Sequence, residues 1–208
     1  GSGGSKGSMK VFEWSGGSWA QRGSTIEGES CSVQLANASN AKNRVQISDD
    51  GDVIADTTES NTRIYGWDSG SSDWVQLGSS IPHSGQISLS DDGARIAIGV
   101  DTGAGFVRVY EYASGSWTLV GAQIDGETSG DNFWAVALDS DGDTLVVGAD
   151  EASPRGEVSV LDWDGSTWTE RFADMQGSSS VGYVNFGSAV DVSEDGRITA
   201  ASDYRYDT

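Results

Sequence analysis

The sequence contains very little cysteine, histidine or proline: one Cys, one His and two Pro among 208 residues. A single cysteine, Cys31, cannot form a disulfide within the chain or build a cysteine-based metal site. The lone histidine, His83, argues against a histidine metal centre and against a conventional hydrolase triad. Apolar runs are short and none approaches the ~20 residues that cross a bilayer, so we expect no membrane insertion.

Basic residues are also scarce, because 12 Lys and Arg stand against 32 Asp and Glu and give a net charge of −20. Nucleic-acid binding depends on Lys and Arg that neutralise phosphates, so nucleic acid is an unsuitable partner. A strongly acidic surface keeps a protein soluble in salt and suits an extracellular or cell-surface location. The triplet Asn37-Ala38-Ser39 is a glycosylation sequon and points in the same direction.

Segments that could form a helix of about ten residues are missing as well. The chain instead has 29 Gly and 8 Trp, a composition that favours an all-β fold. The opening residues 1–8, GSGGSKGS, are of low complexity and are interpreted as a flexible linker or tag.

What the sequence does contain is a fourfold repeat. Each copy has an apolar, aromatic-rich segment followed within about a dozen residues by a second tryptophan. The segments are MKVFEW (9–14), TRIYGW (62–67), VRVYEY (107–112) and VSVLDW (158–163), and the second tryptophans are Trp19, Trp74, Trp117 and Trp168. Both faces of these segments are largely apolar, so both faces of each sheet must be covered. A repeat of roughly 50 residues with this pattern is typical of the four-stranded blade of a β-propeller.

The repeats predict an all-β propeller of about four four-stranded antiparallel blades over residues 9–208. Three blades are expected at about 32–81, 84–124 and 132–172. The outer two strands of a closing blade are expected at 9–26 and its inner two at 184–203, so that pairing of the chain ends would close the ring. The alternative is that the chain is a slice of a longer array of blades.

Two segments resemble the FG-GAP repeat of integrin-alpha-type β-propellers. They are FWAVALDSDGDTLVVGADE (133–151) and NFGSAVDVSEDGRITAASD (185–203), in which Phe186-Gly187 and Gly148-Ala149 match the ends of the motif. The Gly-Ala-Pro of the family is missing, and the first two repeats lack Phe-Gly. The resemblance implies a non-catalytic extracellular module for adhesion or ligand binding, often with calcium.

An acidic turn recurs between the first two strands of each repeat, as in SDDGARIAIG (90–99). In the integrin-alpha-type propellers that these segments resemble, the calcium loops lie at this position. Asp139, Asp141 and Asp143 have the alternating spacing of calcium ligands and are the candidate metal site. The main interpretation is structural, since Asp-Gly is preferred in a two-residue type I′ hairpin turn whose central residues both need a positive φ.

Binding, if present, is expected at the variable loops that join the blades, with a protein or glycan as the ligand. Trp134, which lies outside the repeat pattern, and the adjacent Phe133 are the candidate ligand contacts. Asp125, Glu127 and Asp131 form a second acidic cluster, interpreted as solvated surface unless it binds a metal or a cation. Two alternatives to the adhesion module remain: a purely structural unit of a larger surface or filament protein, and a glycan-processing propeller enzyme.

Overall fold

The computed structural model describes residues 7–28, 45–177 and 185–203, and these residues form strands and turns with no α-helix. Three complete antiparallel blades follow one another along the chain. Blade 1 contains β5 (Val45–Ile47), β6 (Val53–Thr57), β7 (Thr62–Asp68) and β8 (Asp73–Gln76). Blade 2 contains β9 (Gln86–Leu89), β10 (Arg95–Val100), β11 (Phe106–Ala113), β12 (Ser116–Leu119) and β13 (Ile124–Asp125). Blade 3 contains β14 (Phe133–Leu138), β15 (Thr144–Ala149), β16 (Glu157–Trp163), β17 (Trp168–Glu170) and β18 (Met175–Gln176).

Two strand pairs flank the complete blades. The N-terminal pair is β2 (Phe12–Ser15) and β3 (Ser18–Gln21), extended by the short pair β1 (Ser8–Met9) and β4 (Ile26–Glu27). The C-terminal pair is β19 (Phe186–Val192) and β20 (Thr199–Asp203). The predicted all-β class with four-stranded antiparallel blades is confirmed.

The blades stack face to face, with their first strands on the inside. β5 contacts β9, β9 contacts β14, and β14 contacts β19. Separate apolar clusters fill the spaces between successive blades, and each draws on both of its neighbours. Two glycines allow the close approach: a Cβ on Gly99 would lie 1.7 Å from the Trp134 carbonyl oxygen, and one on Gly148 would lie 2.0 Å from that of Gly187. The apolar character of both sheet faces, visible in the sequence, is explained by this stacking.

The paired aromatic residues of the repeat, two tryptophans in blades 1 and 3 and Tyr112 with Trp117 in blade 2, pack on one another within each blade and join it to the blade before. Trp67 and Trp74 have ring centroids 5.3 Å apart, and Trp163 and Trp168 are 5.4 Å apart. The second tryptophan also donates its indole N–H to a backbone carbonyl of the preceding blade or strand pair. These bonds run from Trp74 to Arg22 (2.8 Å), from Trp117 to Leu77 (2.8 Å) and from Trp168 to Val120 (3.0 Å).

The acidic turns differ in one respect from the predicted type I′ hairpin. In the SDDG turn of blade 2, Gly93 has φ +69°, but Asp92 is not among the positive-φ residues. The Gly93 N–H donates to the Ser90 carbonyl (2.9 Å), and the Ser90 hydroxyl donates to the Asp92 carboxylate (2.7 Å). This is a type I turn followed by a left-handed glycine. The aspartate stabilises the turn through its side chain and not through an unusual backbone.

The two flanking strand pairs form separate two-stranded sheets. In the part of the chain that the structure describes, β2 pairs only with β3 and β20 pairs only with β19. The N-terminal pair packs on blade 1 through Met9, Val11 and Ile26, whereas the C-terminal pair packs on blade 3. The described residues therefore form an arc of blades with a strand pair at each end.

Candidate functional site

The inner strands of blades 2 and 3 and of the C-terminal pair begin at one face of the stacked blades, which we call the rim. Three side chains near these strand starts carry a buried polar atom without a hydrogen-bond partner among the described residues. They are Gln86 (Nε2) at the start of β9, Trp134 (Nε1) in β14 and Asn185 (Oδ1) just before β19. Buried polar atoms are rarely left unpaired, and those that are need a water, an ion or a ligand. The rim thus offers two donors and one acceptor on three successive inner strands.

Glu157 is half-buried at the same face, at the start of β16, and we call the junction of blades 2 and 3 around it the cleft. Glu157 lies opposite Ala149 in the sheet, and Ala149 lies opposite Phe133. Residues in lateral register point to the same face of a sheet, so the small Ala149 side chain lies between the Phe133 ring and the Glu157 carboxyl group. Phe133 in turn packs closely on Gly105 and Gly126 of blade 2.

The cleft is electrostatically negative. Burial raises the pKa of Glu157 above its ordinary value, and the charges of Asp174, Glu127 and Asp131 raise it further. Both causes disfavour the ionised carboxylate, the first by desolvation and the second by repulsion. Such a group can take up a proton closer to neutral pH than an ordinary glutamate, which is the property required of a general acid or base.

Hydrogen bonds connect the rim to the cleft. The Asn185 side-chain amide donates to the Asp150 carbonyl (3.1 Å), and the next residue, Glu151, donates its N–H to the Asp131 carbonyl (3.1 Å). The Asp131 carboxylate accepts the Thr128 N–H (2.7 Å). Asp150 and Asp131 are both buried. One polar network therefore links the start of β19 to a carboxylate that acts on Glu157.

The candidate calcium residues share one turn but engage different partners. Asp139 is buried and accepts the Thr144 N–H (2.9 Å), Asp141 accepts the Asp143 N–H (3.0 Å), and Asp143 is paired with Arg95. Burial raises the pKa of Asp139, and the Asp141 charge raises it further. Among residues 7–28, 45–177 and 185–203, no group of three His, Cys, Asp or Glu side chains is arranged to hold a metal. A calcium ion at Asp139, Asp141 and Asp143 stays a prediction.

The two candidate ligand residues lie in different surroundings. Phe133 is buried in the core between blades 2 and 3, whereas Trp134 is half-buried on the rim with its indole nitrogen unpaired in the described chain. Their contact with a ligand stays a prediction, and so does the location outside the cell. The sequon at Asn37 lies outside the described residues.

The sequence pattern did not identify Glu157 as a site residue, and it indicated only a solvated surface for Glu127 and Asp131. Glu157 stands at the first position of the third strand, where blades 1 and 2 have Thr62 and Phe106. A carboxylate at an apolar or neutral position of the repeat is the signal that could have revealed it. Glu127 and Asp131 were noticed as a solvated cluster, but their charges act on Glu157.

Known structures of similar shape are β-propellers. A protein of Bacteroides uniformis, provisionally named a 6-phosphogluconolactonase, matches with a TM-score of 0.60 at 13% identity, over 93% of this chain and 57% of that one. A Bacteroides fragilis protein of the same provisional name matches with 0.57 at 14% identity, over 93% and 57%. A Lactobacillus plantarum protein matches with 0.61 at 14% identity, again over 93% and 57%. The fold is a β-propeller. No protein-family model and no curated protein matches the chain.

At these identities the likeness shows the fold, and the chain spans 57% of the length of each of these propellers. The comparison nevertheless corrects the FG-GAP interpretation, since the similar propellers carry lactonase names and not those of integrin-type adhesion modules. The motif does not identify the family because its glycines are needed for the close stacking of propeller blades in general. Gly187 has φ +90° and contacts Gly148 of the neighbouring blade. The expectations of a non-catalytic adhesion module and of no enzymatic activity depended on that motif and are corrected with it.

Within the described residues, no helix is long and apolar enough to cross a membrane.

Proposed function

We propose that this propeller hydrolyses a neutral, unphosphorylated sugar lactone, with Glu157 as the general base. The observation that carries the proposal is Glu157: a half-buried carboxyl of raised pKa at the same face of the blades as three buried polar atoms that have no hydrogen-bond partner among the described residues. The lactonase names of two similar propellers support the reaction class. The earlier alternative of a glycan-processing propeller is thereby made more specific.

The rim suits a polyhydroxylated ring. Sugar hydroxyls both donate and accept, so different hydroxyls of one ring could pair with the Gln86 amide nitrogen and with the Asn185 amide oxygen. The exposed part of the Trp134 ring offers an apolar surface for the ring carbons. Binding there would remove the cost of leaving these atoms unpaired, which is about 1–3 kcal/mol for each.

Glu157 would activate a water molecule as a general base, and it would not itself form a bond to the sugar. Its carboxylate accepts a proton from a water molecule as the water oxygen forms a bond to the lactone carbonyl carbon. The ring C–O bond then breaks, and the released ring oxygen takes the proton from Glu157 as it becomes a hydroxyl group. The product is an open-chain hydroxy acid, which ionises at neutral pH and releases one proton. Glu157 returns to its starting state.

The charge of the cleft argues for a substrate without phosphate. The groups that act on Glu157 are all carboxylates: Asp174, Glu127, Asp131 and Glu170. A phosphate dianion would be repelled by them, since phosphate sites rely on Arg, Lys or backbone N–H groups. We therefore assign a neutral lactone and not a phosphorylated one, although two similar propellers carry the phosphorylated sugar in their names.

Proton release from glucono-1,5-lactone at constant pH tests the proposal. The wild-type chain should exceed the spontaneous rate, and Glu157→Gln should lose about 10²–10⁴-fold of the enzymatic rate. Glu151→Gln, which removes an exposed carboxylate from the adjacent loop, should leave the rate unchanged. A wild-type rate equal to buffer would show that the chain has no lactonase activity, and an equal enzymatic rate in Glu157→Gln would show that Glu157 is not the general base.

A further inference from the structure

The two ends of the arc expose apolar surface that the blades between them bury. Trp19 is 66% exposed and Ile198 is 72% exposed. In complete blades the equivalent residues are covered: Trp74 is 8% exposed and Thr144 is 5% exposed. The exposed large apolar residues at the ends are Phe12, Trp14, Trp19, Val45, Ile47 and Ile198. Apolar sheet edges of this kind need a partner, because they otherwise template aggregation.

The two end pairs are the complementary halves of one blade. In blade 2, Ile96 of the second strand lies opposite Tyr110 of the third, and in blade 1 Ile54 lies opposite Tyr65. The repeat places Thr199 and Phe12 at these positions. Among the described residues, β20 has the second-strand role without a third strand, and β2 has the third-strand role without a second. Pairing β20 with β2 in the register of blade 2 would place Thr199 opposite Phe12.

The hydrogen bonds of the turns fix this register. The Ser193 N–H donates to the Ile198 carbonyl (2.9 Å), as the Ser90 N–H donates to the Arg95 carbonyl in blade 2 (3.0 Å), so Ile198 is the equivalent of Arg95. Since Arg95 lies opposite Glu111, pairing of the ends would place Ile198 opposite Glu13.

A chain of backbone hydrogen bonds also runs from turn to turn and stops at the two ends. The Asp49 N–H donates to the Asp91 carbonyl (2.9 Å), the Asp91 N–H to Ser140 (3.0 Å), and the Ser140 N–H to Glu194 (3.2 Å). The next bond in the series would run from the Glu194 N–H to the carbonyl of Asp49. One end of the arc therefore presents the donor, and the other presents the acceptor.

The hydrogen bonds from the tryptophan indole N–H groups also form a series that stops at the two ends of the arc. Leu77 and Val120, which accept indole N–H groups, each donate their own N–H back to the third strand of their blade, and Arg171 does the same to Val160. Arg171 is thus the acceptor position of blade 3, and Trp19 is the equivalent donor. Within the described chain they lie at opposite ends of the arc. Phe172 departs from the pattern, since glycine follows the acceptor in the other blades (Gly23, Gly78 and Gly121).

We propose that two copies of this chain join head to tail, with β19 and β20 of each copy completing a blade with β2 and β3 of the other. Each copy has three complete blades and two half blades. Two copies would therefore form a ring of about eight blades, within the usual range of propellers. The two interfaces are identical by symmetry, and closure of the ring removes both free edges. This inference does not depend on the proposed activity.

Cysteine cross-linking tests the register directly. In a Cys31→Ser background, Phe12→Cys and Thr199→Cys together place thiols on directly opposed residues, whose Cα separation suits a disulfide. Oxidation should give a non-reducing gel band at twice the 21.8 kDa of the chain. The control pairs Thr199→Cys with Ser15→Cys, three residues out of register, and should stay at the monomer mass. A cross-link within one chain, or none, would overturn the proposal.

Sedimentation gives a second test that needs no oxidation. The wild-type chain should give twice 21.8 kDa at sedimentation equilibrium, and Ile198→Glu, which places a second carboxylate opposite Glu13, should weaken the dimer several-fold. A mixture of Ile198→Glu with Glu13→Arg should restore it, because one interface then holds a Glu opposite an Arg. A monomeric wild-type chain would contradict the proposal, and so would a mixture no more associated than Ile198→Glu alone.

Discussion

The indole Nε1 of Trp117 donates a hydrogen bond of 2.8 Å to the carbonyl of Leu77 in the preceding blade. Equivalent bonds recur from Trp74 to Arg22 and from Trp168 to Val120. The second tryptophan of each repeat therefore has two functions: its ring packs on an aromatic residue of its own blade, and its N–H fixes the blade to the one before. A repeated residue with a repeated partner sets the spacing of the whole array.

Replacing Trp117 by Phe should destabilise the protein through this bond. The substitution leaves the Leu77 carbonyl without its donor, which costs about 1 kcal/mol, to which the loss of ring contact adds. Trp163→Phe is the control, because it shortens a ring in the same way but its indole nitrogen makes no hydrogen bond within the described residues. Urea unfolding should show the larger loss of stability in Trp117→Phe. Equal losses would mean that the inter-blade bond contributes nothing.

Gly99→Ala should prevent close stacking of blades 2 and 3. The added Cβ would lie 1.7 Å from the backbone oxygen of Trp134, which cannot rotate away as a side chain could. Overpacking of this kind costs about 1–3 kcal/mol or more. Gly70→Ala adds the same methyl group at an exposed turn, 3.3 Å from a flexible carboxylate. Thermal unfolding should show a strong decrease for Gly99→Ala and little change for the control, and a stable Gly99→Ala would refute this close contact.

The buried pair of Arg63 and Asp56 should behave as a unit. Their side chains are 2% exposed, and the guanidinium bonds the carboxylate through two nitrogens at 2.7 and 3.2 Å. Arg63→Met should cost about 3–5 kcal/mol because it leaves a buried carboxylate without its partner. The double variant Arg63→Met/Asp56→Leu should recover much of this loss in denaturant titrations. Additive losses in the double variant would show that the two residues are energetically independent.

Glu157→Gln should stabilise the fold at neutral pH while it removes activity. The folded-state pKa of Glu157 is raised from its ordinary 4.5, so the folded state binds this proton more tightly than the unfolded state. Stability from the protonated form is present below pH 4.5 and is lost as pH rises through the raised pKa. The melting temperature of the wild type should therefore fall relative to Glu157→Gln between pH 4 and pH 7. A constant difference across this range would mean that the carboxyl is not perturbed.

Much of the fold follows from the sequence because it is repeated. Four aligned segments with paired tryptophans, such as Trp67 and Trp74, fix the strand order and the two-sided burial of each blade. The repeat also places complementary halves of a blade at the two ends of the chain, but it does not distinguish pairing within one chain from pairing between chains. The type of the acidic turn was also misjudged, since Asp-Gly suits either turn and only the φ of Asp92 distinguishes them.

The functional site was harder to predict, for a physical reason. Glu127, Asp131, Asp174 and Glu157 come from separate parts of two blades, and only the fold brings their charges together. Asp139, Asp141 and Asp143 are adjacent in sequence and drew attention for that reason. In the structure two of them are occupied with Thr144 and Arg95. Residues adjacent in the sequence suggested a functional site at the turn. The residues that the fold brings together in space instead indicate a site around Glu157.

The pH dependence of kcat/KM for glucono-1,5-lactone tests the role of Glu157 most directly. The rate should rise with pH as the Glu157 carboxylate forms, with a midpoint above the ordinary 4.5 of a glutamate. Glu127→Gln removes one of the charges that raise this pKa and should move the midpoint to lower pH, whereas Glu151→Gln should not move it. A midpoint unchanged by Glu127→Gln, or a rate that does not exceed spontaneous hydrolysis at any pH, would contradict the assignment of Glu157 as the general base.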